Sequence, residues 1–350
     1  FSNAQPFPVE RVRPVAGSLI EGIYRWRVAS RCIKKHKPDV LLASGSRAVW
    51  LAALLARRHG IPWIAIGHGT EFGTRTVVAK RMTQYAFSRA DNVICVSQFT
   101  RQQMIAAGIR VRASHVIENG ADHTQFTLLP EKEVDDFRRR LGFGDSEILL
   151  TVGQVSERKG QSAVIRALPQ VLKEAPKTQY VIAGLPTKEK EHRELAIRLG
   201  VSDHVHFMGR VAGETILRLM NACDVFVMTS RHTGAGDFEG YGIAVVEAAL
   251  CGKPAVVSAA SGLSEAIVDG VTGYAVEPDN AEAIARVLVQ LLRDDDLRQE
   301  MGRAARERAL GEQTWERRAQ EYDRFLRALL SSDAHSQVRI LKSESSTSEV

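Results

Sequence analysis

Glu239 and Glu247 lie eight residues apart within Ser230 to Pro254, SRHTGAGDFEGYGIAVVEAALCGKP. Two carboxylates so spaced can serve opposite ends of an extended ligand, one at its reacting end and one at its far end. Between them, Gly240-Tyr241-Gly242 reads as a turn and Ile243 to Leu250 as an apolar, helix-forming run. Gly252 and Pro254 stop that run, as a glycine just past a helix end and a proline soon after usually do. The expectation is a loop, a helix start at Gly240 to Gly242, and a buried helix. A helix start offers unpaired N–H groups and partial positive charge, which suit a phosphate. Glu239 stands at that mouth. Glu247 stands about two turns further in, roughly 12 Å if all eight steps are helical. Set among Val245, Val246, Ala248, Ala249 and Leu250, it is a carboxylate that needs a partner.

A second group of candidates is Val152-Gly153-Gln154-Val155-Ser156-Glu157-Arg158-Lys159-Gly160. Gly153 permits close backbone approach, and Arg158 and Lys159 bring positive charge to where a diphosphate could lie. An ordinary turn with exposed cations would use the same residue types. A third candidate is His68 in Gly67-His68-Gly69-Thr70-Glu71, a histidine on a loop that directly follows an apolar run. The segment Gly67 to Gly73 misses the dinucleotide pattern G-x-G-x-x-G by one residue and carries a bulky His, so it does not read as a dinucleotide loop.

These loops need elements to hold them. Short apolar runs alternate with helical patterns along most of the chain. In the first half, strands are expected at Asp39–Gly45, Ile61–Gly67, Asn92–Ser97 and His115–Glu118. Helices are expected at about 17–36, 47–58, 76–89 and up to Ala107. Residues 123–145 read as a polar linker, after which the pattern restarts. Strands follow at Ile148–Val155, Gln179–Gly184, Val205–Gly209, Asp224–Ser230, Pro254–Ser258 and Gly273–Val276, with helices between them. Two further helices are expected, 295–310 and 314–330. The fold class is therefore α/β, with two doubly wound sheets facing a cleft. Ligands in such sheets sit at the carboxyl ends of the strands, and the charged and glycine-rich turns all follow strands. The domains read as 1–140, 141–312, a C-terminal helix 313–331 packing back on the first, and a disordered tail 332–350 rich in Ser and Glu.

Composition is that of a globular protein, 44% hydrophobic and 25% charged. Nucleic acid is not an expected partner: no motif for it occurs and aromatics are few. Cys32, Cys95, Cys223 and Cys251 lie far apart with no C-x-x-C pair, as reduced packing residues would. The net charge of +6 is concentrated in residues 1–37, which hold eight Lys/Arg against Glu10 and Glu21. Two readings of this segment stand. One is a helix with Leu19, Ile20, Ile23, Trp26 and Ile33 in a core and a solvated basic face. The other is peripheral contact with an anionic membrane.

The stretch from Glu239 to Glu247 closely resembles the E-x7-E region of the retaining glycosyltransferases of family 4, which have the GT-B fold. Val152 to Gly160 resembles that family's G-R-x-x-x-x-K-G loop at Gly153, Lys159 and Gly160, with Gln154 where an Arg usually stands. His68 resembles the family's cleft histidine, and Ser97 and Asn119 to Asp122 its V-S and N-G-V-D motifs. His206 to Val211 resembles the segment whose backbone after the glycine, here Arg210 and Val211, faces the nucleotide base. Ser261 to Glu265 and Asp269 to Gly273 resemble its G-G-x-x-E and D-G-x-x-G turns. The motifs recur in order from about Asp39 to Asp279.

The resemblance implies transfer of a sugar from a nucleotide-diphosphate sugar to a glycan or lipid-linked acceptor, with retention and without a metal or other cofactor. It assigns catalytic roles to Glu239 and His68. Donor binding falls to Gly153, Arg158, Lys159, Arg210, Val211, Gly240, Tyr241, Gly242, Ile243 and Glu247. Glu247 would take the ribose hydroxyls, and Glu239 the hydroxyls and developing positive charge of the donor sugar. The loop His232 to Asp237 loosely resembles that of mannosyltransferases, which points to a guanosine donor. The expected location is cytoplasmic, peripheral at the inner membrane face. The family's opening strand and glycine-rich loop have no counterpart before Asp39. The expectation is a fragment whose first sheet is truncated and has an exposed edge; a naturally shortened protein is the other reading. Two alternatives remain for function: a non-catalytic or partner-dependent nucleotide-sugar-binding protein, and another GT-B enzyme such as an epimerase or phosphorylase.

Overall fold

The computed structural model describes residues 7–12, 18–73, 76–234 and 236–331. In the first half, α1 (Ser18–His36) leads to β1 (Leu41–Ser44), α2 (Ser46–His59), β2 (Trp63–Gly67), α3 (Val77–Arg89), β3 (Asn92–Cys95), α4 (Gln98–Ala106) and β4 (Ser114–Val116). After α5 (Glu131–Arg140) the second half runs β5 (Ile148–Val152), α6 (Gln161–Glu174), β6 (Gln179–Ala183), α7 (Glu189–Arg198), β7 (Val205–Gly209) and α8 (Gly213–Ala222). It continues with β8 (Val225–Met228), α9 (Ile243–Leu250), β9 (Ala255–Ser258), β10 (Gly273–Val276) and α10 (Ala281–Arg293). Two helices close the order, α11 (Asp295–Glu312) and α12 (Trp315–Leu330).

The strands form two parallel sheets, β1-β2-β3-β4 and β10-β9-β8-β5-β6-β7. Continuous apolar runs such as NVIC and ILLTV suit strands covered by helices on both faces. In the first sheet, one face packs Ala65, Val93 and Cys95 against Val49, Ala52 and Ala53 of α2 and Phe87 of α3. The other face packs Ile64, Ile94 and Ile117 against Tyr322, Phe325, Leu326 and Leu329 of α12. The C-terminal helix thus crosses back to the first sheet. The crossing is pinned where Ala121 pairs with Thr314, with Ala121 N donating to Gln313 O at 2.9 Å and Trp315 N to Ala121 O at 3.2 Å.

Two expectations are corrected. The segment 123–145 is not a free linker: Phe126, Phe137 and Phe143 join the core of the second sheet beside Leu219 and Ala222. Arg138 fastens it further by donating to the Ala222 carbonyl and pairing with Asp224. A half-buried guanidinium with backbone and carboxylate acceptors is a fixed joint, because leaving it unpaired would be costly. The proposed core of α1 is also only partly formed. Ile33 is buried at 8% exposure, but Ile20 and Ile23 are 61% and 47% exposed. Ile23 and Trp26 instead line an open groove shared with Trp50, Leu51 and Leu54 of α2 and Met82 of α3, rather than closing on a core. A single 3₁₀ turn, Glu157–Lys159, precedes α6, so Arg158 and Lys159 ride on a short tight turn. Among the described residues β1 pairs with β2 alone and Leu42 is exposed. The tail 332–350 lies outside the described residues.

Candidate functional site

The second sheet reverses direction at β5: β6 and β7 extend to one side and β8, β9 and β10 to the other. The loops leaving β5 and β8 diverge there and open a crevice at the strands' carboxyl ends, the usual ligand position in open α/β sheets. Gly153 follows β5 and the segment Thr229 to Glu239 follows β8, so the two groups of candidates come from the two sides of one crevice.

Lys159 lies along Gly153, where an added Cβ would stand 3.3 Å from Lys159 Cε. Its ammonium is 2.8 Å from Glu239 Oε2 and 3.7 Å from Met228 Sδ. Arg158 Nη1 donates to the same Glu239 oxygen. All three side chains are largely buried, so two cations and one carboxylate share a poorly hydrated corner. The 3₁₀ turn that carries the cations is braced from outside. Arg231 pairs with Glu157 at 2.7 Å and Asp279 at 2.8 Å, and its N–H donates to the Arg158 carbonyl at 2.8 Å. From inside, fully buried Gln161 donates to the Gln154 carbonyl at 3.0 Å. Gln154 itself donates to Thr187 Oγ1 at 2.7 Å.

Gly242 adopts φ 89°, a left-handed conformation that glycine reaches without strain, and α9 begins at Ile243 with no side-chain cap. The N–H groups of Ile243 and Ala244 are therefore unclaimed by a capping side chain, while that of Val245 donates to the Gly242 carbonyl at 2.9 Å. The glycines make Glu239 to Gly242 non-helical. Only four helical steps separate Ile243 from Glu247, about 6 Å or one turn, rather than the two turns expected from spacing. Burial alone pushes the Glu247 carboxyl up from 4.5 to about 7. Tyr241 points elsewhere: its hydroxyl donates to Glu118 at 3.1 Å and accepts from Gln313, tying the loop to the α12 crossing.

The first sheet meets this crevice through backbone. A Cβ on Gly240 would stand 2.0 Å from the His68 carbonyl oxygen, and one on Gly73 would stand 2.1 Å from that of Gly236. Only hydrogen fits at these points. The ring of His68 hydrogen-bonds through Nε2 to Ser44 Oγ at 2.8 Å. Its backbone N–H and that of Gly69 donate to the buried Glu71 carboxylate at 3.1 and 2.9 Å. Thr100 Oγ1 donates to the Gly240 carbonyl at 3.2 Å, and Glu265 from the second half accepts from the N–H groups of Gln98 and Phe99 at the start of α4. Ser44, Glu71, Thr100 and Glu265 were not singled out as functional in the sequence. Glu71, three residues after His68, and Glu265, which closes the Ser261 to Glu265 turn, carried usable signals; Ser44 and Thr100 did not. Arg210 and Val211 follow β7 at the far edge of the sheet; Arg210 is exposed, and Val211 packs on the core. The structure thus brings Gly153, Arg158, Lys159 and Glu239 into contact, with Gly240, Gly242 and Ile243 next along the chain, Glu247 one turn into α9, His68 against the loop and Arg210 two strands away at the sheet edge.

Comparison with known proteins bears on these features. Residues 133–308 match the family described as glycosyl transferases group 1, and residues 3–125 match glycosyltransferase family 4. The match reaches residue 3, well ahead of Asp39, where the motif-by-motif resemblance begins. A GDP-mannose-dependent alpha-(1-6)-phosphatidylinositol monomannoside mannosyltransferase of Mycolicibacterium smegmatis is 33% identical over 291 residues, 82% of this chain and 76% of that one. The GDP-mannose-dependent monoacylated alpha-(1-6)-phosphatidylinositol monomannoside mannosyltransferase of Corynebacterium glutamicum is 32% identical over 257 residues, 72% of this chain and 66% of that one. Among solved structures, Anabaena HepE in complex with UDP and glucose superposes with a TM-score of 0.78 at 25% identity, covering 89% of this chain and 83% of that one.

Proposed function

The chain belongs to the glycosyl transferases group 1 family of GT-B glycosyltransferases, and from that premise we propose that it moves a mannosyl residue from GDP-mannose to a lipid-linked acceptor, with retention and without a metal. The observation that carries this reading is the gathering of Lys159, Arg158 and the uncapped start of α9 around one corner, with Glu239 at its mouth and Glu247 about one turn inside. A leaving diphosphate gains negative charge as its bond to the sugar breaks. Fixed cations and helix N–H groups in a poorly hydrated site stabilise that charge at little reorganisation cost. Glu247 accepts from the ribose hydroxyls. Glu239 holds donor-sugar hydroxyls and faces the positive charge that develops at the anomeric carbon. His68, held by Ser44, orients the sugar or acceptor. The acceptor attacks from the face of the departing diphosphate, which preserves configuration.

The guanosine donor is supported by the two mannosyltransferase relatives, whose names specify GDP-mannose; HepE, bound to UDP, supplies the competing base. Exposed Ile20, Ile23 and Tyr24 beside Arg27, Arg31 and Lys34 on α1 support a peripheral contact with an anionic membrane, where a lipid-linked acceptor would lie. The deciding experiment is thermal unfolding with GDP, UDP and ADP, followed by transfer assays with the matching sugar nucleotide. At a hundred times its dissociation constant a ligand stabilises by about 2.7 kcal/mol. A shift with GDP alone, lost in Lys159→Ala, is the expected result. A shift with UDP alone would replace mannose by a UDP-sugar, and a shift with none would remove the donor reading.

A further inference from the structure

We infer that Glu239 is an exchangeable counter-ion: it occupies the diphosphate's cations until a complete donor displaces it, and the displaced carboxylate is then taken up by the donor sugar. This rests on the nucleotide-sugar reading above and adds an order of events to it. Glu239 Oε2 is shared by Lys159, at 2.8 Å, and Arg158. Among the described residues Glu239 is the one ion-pair partner of both cations. All three groups are mostly buried, so none can release its partner to water without a large desolvation cost. A diphosphate diester carries two negative charges, which two cations balance. With Glu239 still in place the corner would hold three negative charges against two positive ones, and like charges so close are strongly disfavoured. Diphosphate and Glu239 therefore compete for one position.

Glu239 is placed to move. Its backbone is held, with the Glu239 carbonyl accepting from Gly262 N–H at 3.1 Å and Gly240 packed on the His68 carbonyl, so only the carboxylate moves, by rotation about the glutamate's own side-chain bonds. Once displaced, it needs hydrogen-bond donors, and sugar hydroxyls on the same diphosphate supply them. A nucleotide that has lost its sugar supplies none. Glu239 then returns to Lys159 and Arg158, and the nucleoside diphosphate is expelled. The same carboxylate thus favours the sugar-bearing nucleotide over the spent one and promotes product release.

The test is calorimetric titration of wild type, Glu239→Gln and Glu239→Ala with GDP, GDP-mannose and inorganic pyrophosphate. Removing the charge is expected to tighten GDP and pyrophosphate about tenfold in both variants. GDP-mannose should gain little or weaken, so the preference for GDP-mannose over GDP falls about tenfold. Equal tightening of all three ligands would mean a simple field effect and would overturn the exchange. Unchanged or weaker GDP binding in both variants would overturn it too. Glu239→Ala guards against an unforeseen hydrogen bond from the Gln amide, and far-ultraviolet circular dichroism checks that both variants are folded. If wild type binds GDP, only the exchange is at stake. If wild type binds none of GDP, UDP and ADP, the donor reading fails and the exchange with it.

Discussion

Glu265, from the second half of the chain, accepts a 2.7 Å hydrogen bond from the backbone N–H of Phe99 at the start of α4 in the first half. Its other oxygen accepts from Gln98 N at 2.7 Å. A carboxylate on two free helix N–H groups is a cap, here supplied by another domain. Ser97 already caps α4 from within, accepting from Thr100 N. The Glu265 contact is therefore a latch between the halves, beside the Thr100 to Gly240 hydrogen bond that shapes the donor loop.

Glu265→Ala is expected to cost about 1–2 kcal/mol, lowering the melting temperature by several degrees. Because the latch adjoins Gly240, donor KM should rise about fivefold while circular dichroism stays unchanged; Glu265→Gln should recover part of both. A stability loss with unchanged donor KM would confine Glu265 to a structural role.

Ser44 fixes the His68 ring. Ser44→Ala removes one partly exposed hydrogen bond, so kcat should fall about threefold to tenfold with donor affinity unchanged. His68→Ala should lower kcat about a hundredfold. Steady-state kinetics with calorimetric donor titration separates the two parameters. Loss of donor affinity in Ser44→Ala would place this pair on the donor rather than on sugar or acceptor orientation.

Glu247 gives stability a pH dependence with a definite sign. Its carboxyl is raised from 4.5 to about 7 by burial, so the folded chain holds that proton more tightly than the unfolded chain. The contribution is full below about pH 4.5 and is lost as pH rises through 7. That span corresponds to at most about 3 kcal/mol. Glu247→Gln should therefore be more stable than wild type above pH 7 and equal to it near pH 4.5, in denaturant titrations across that range. Its GDP affinity should fall about tenfold at pH 8, where wild type presents a carboxylate to the ribose.

Charge compensation by Lys159, Arg158 and the start of α9 predicts transfer that is insensitive to metal removal. Initial rates in 5 mM EDTA, about the concentration routinely used to strip Mg²⁺, should match those with added magnesium within about twofold. A large loss restored by magnesium would assign part of the diphosphate's charge to a metal.

Periodicity was a good guide where burial is two-sided. NVIC and ILLTV are strands because nothing but a covered parallel sheet uses such short apolar runs between helices, and both sheets could be read that way. The candidate site was legible where charge and glycine coincide, at Gly153, Lys159, Glu239 and Gly240. Contacts made by ordinary residues across long sequence separations were not. Ser44 to His68, Thr100 to Gly240 and Glu265 to Phe99 depend on how two sheets face each other, and no local pattern encodes that. The stripe Ile20, Ile23 and Trp26 shows the opposite failure: spacing gives a helix face but not what lies against it.

The crossing at Ala121 and Thr314 bears on how the halves can move. The chain passes between the sheets twice, and both passages lie side by side, joined by backbone hydrogen bonds and by a Gly120 with no room for a methyl group against Thr314. A single tether would leave the halves free to swivel. Two tethers joined side by side act as one pivot, which opposes sliding of one half past the other at Gly120 and Thr314.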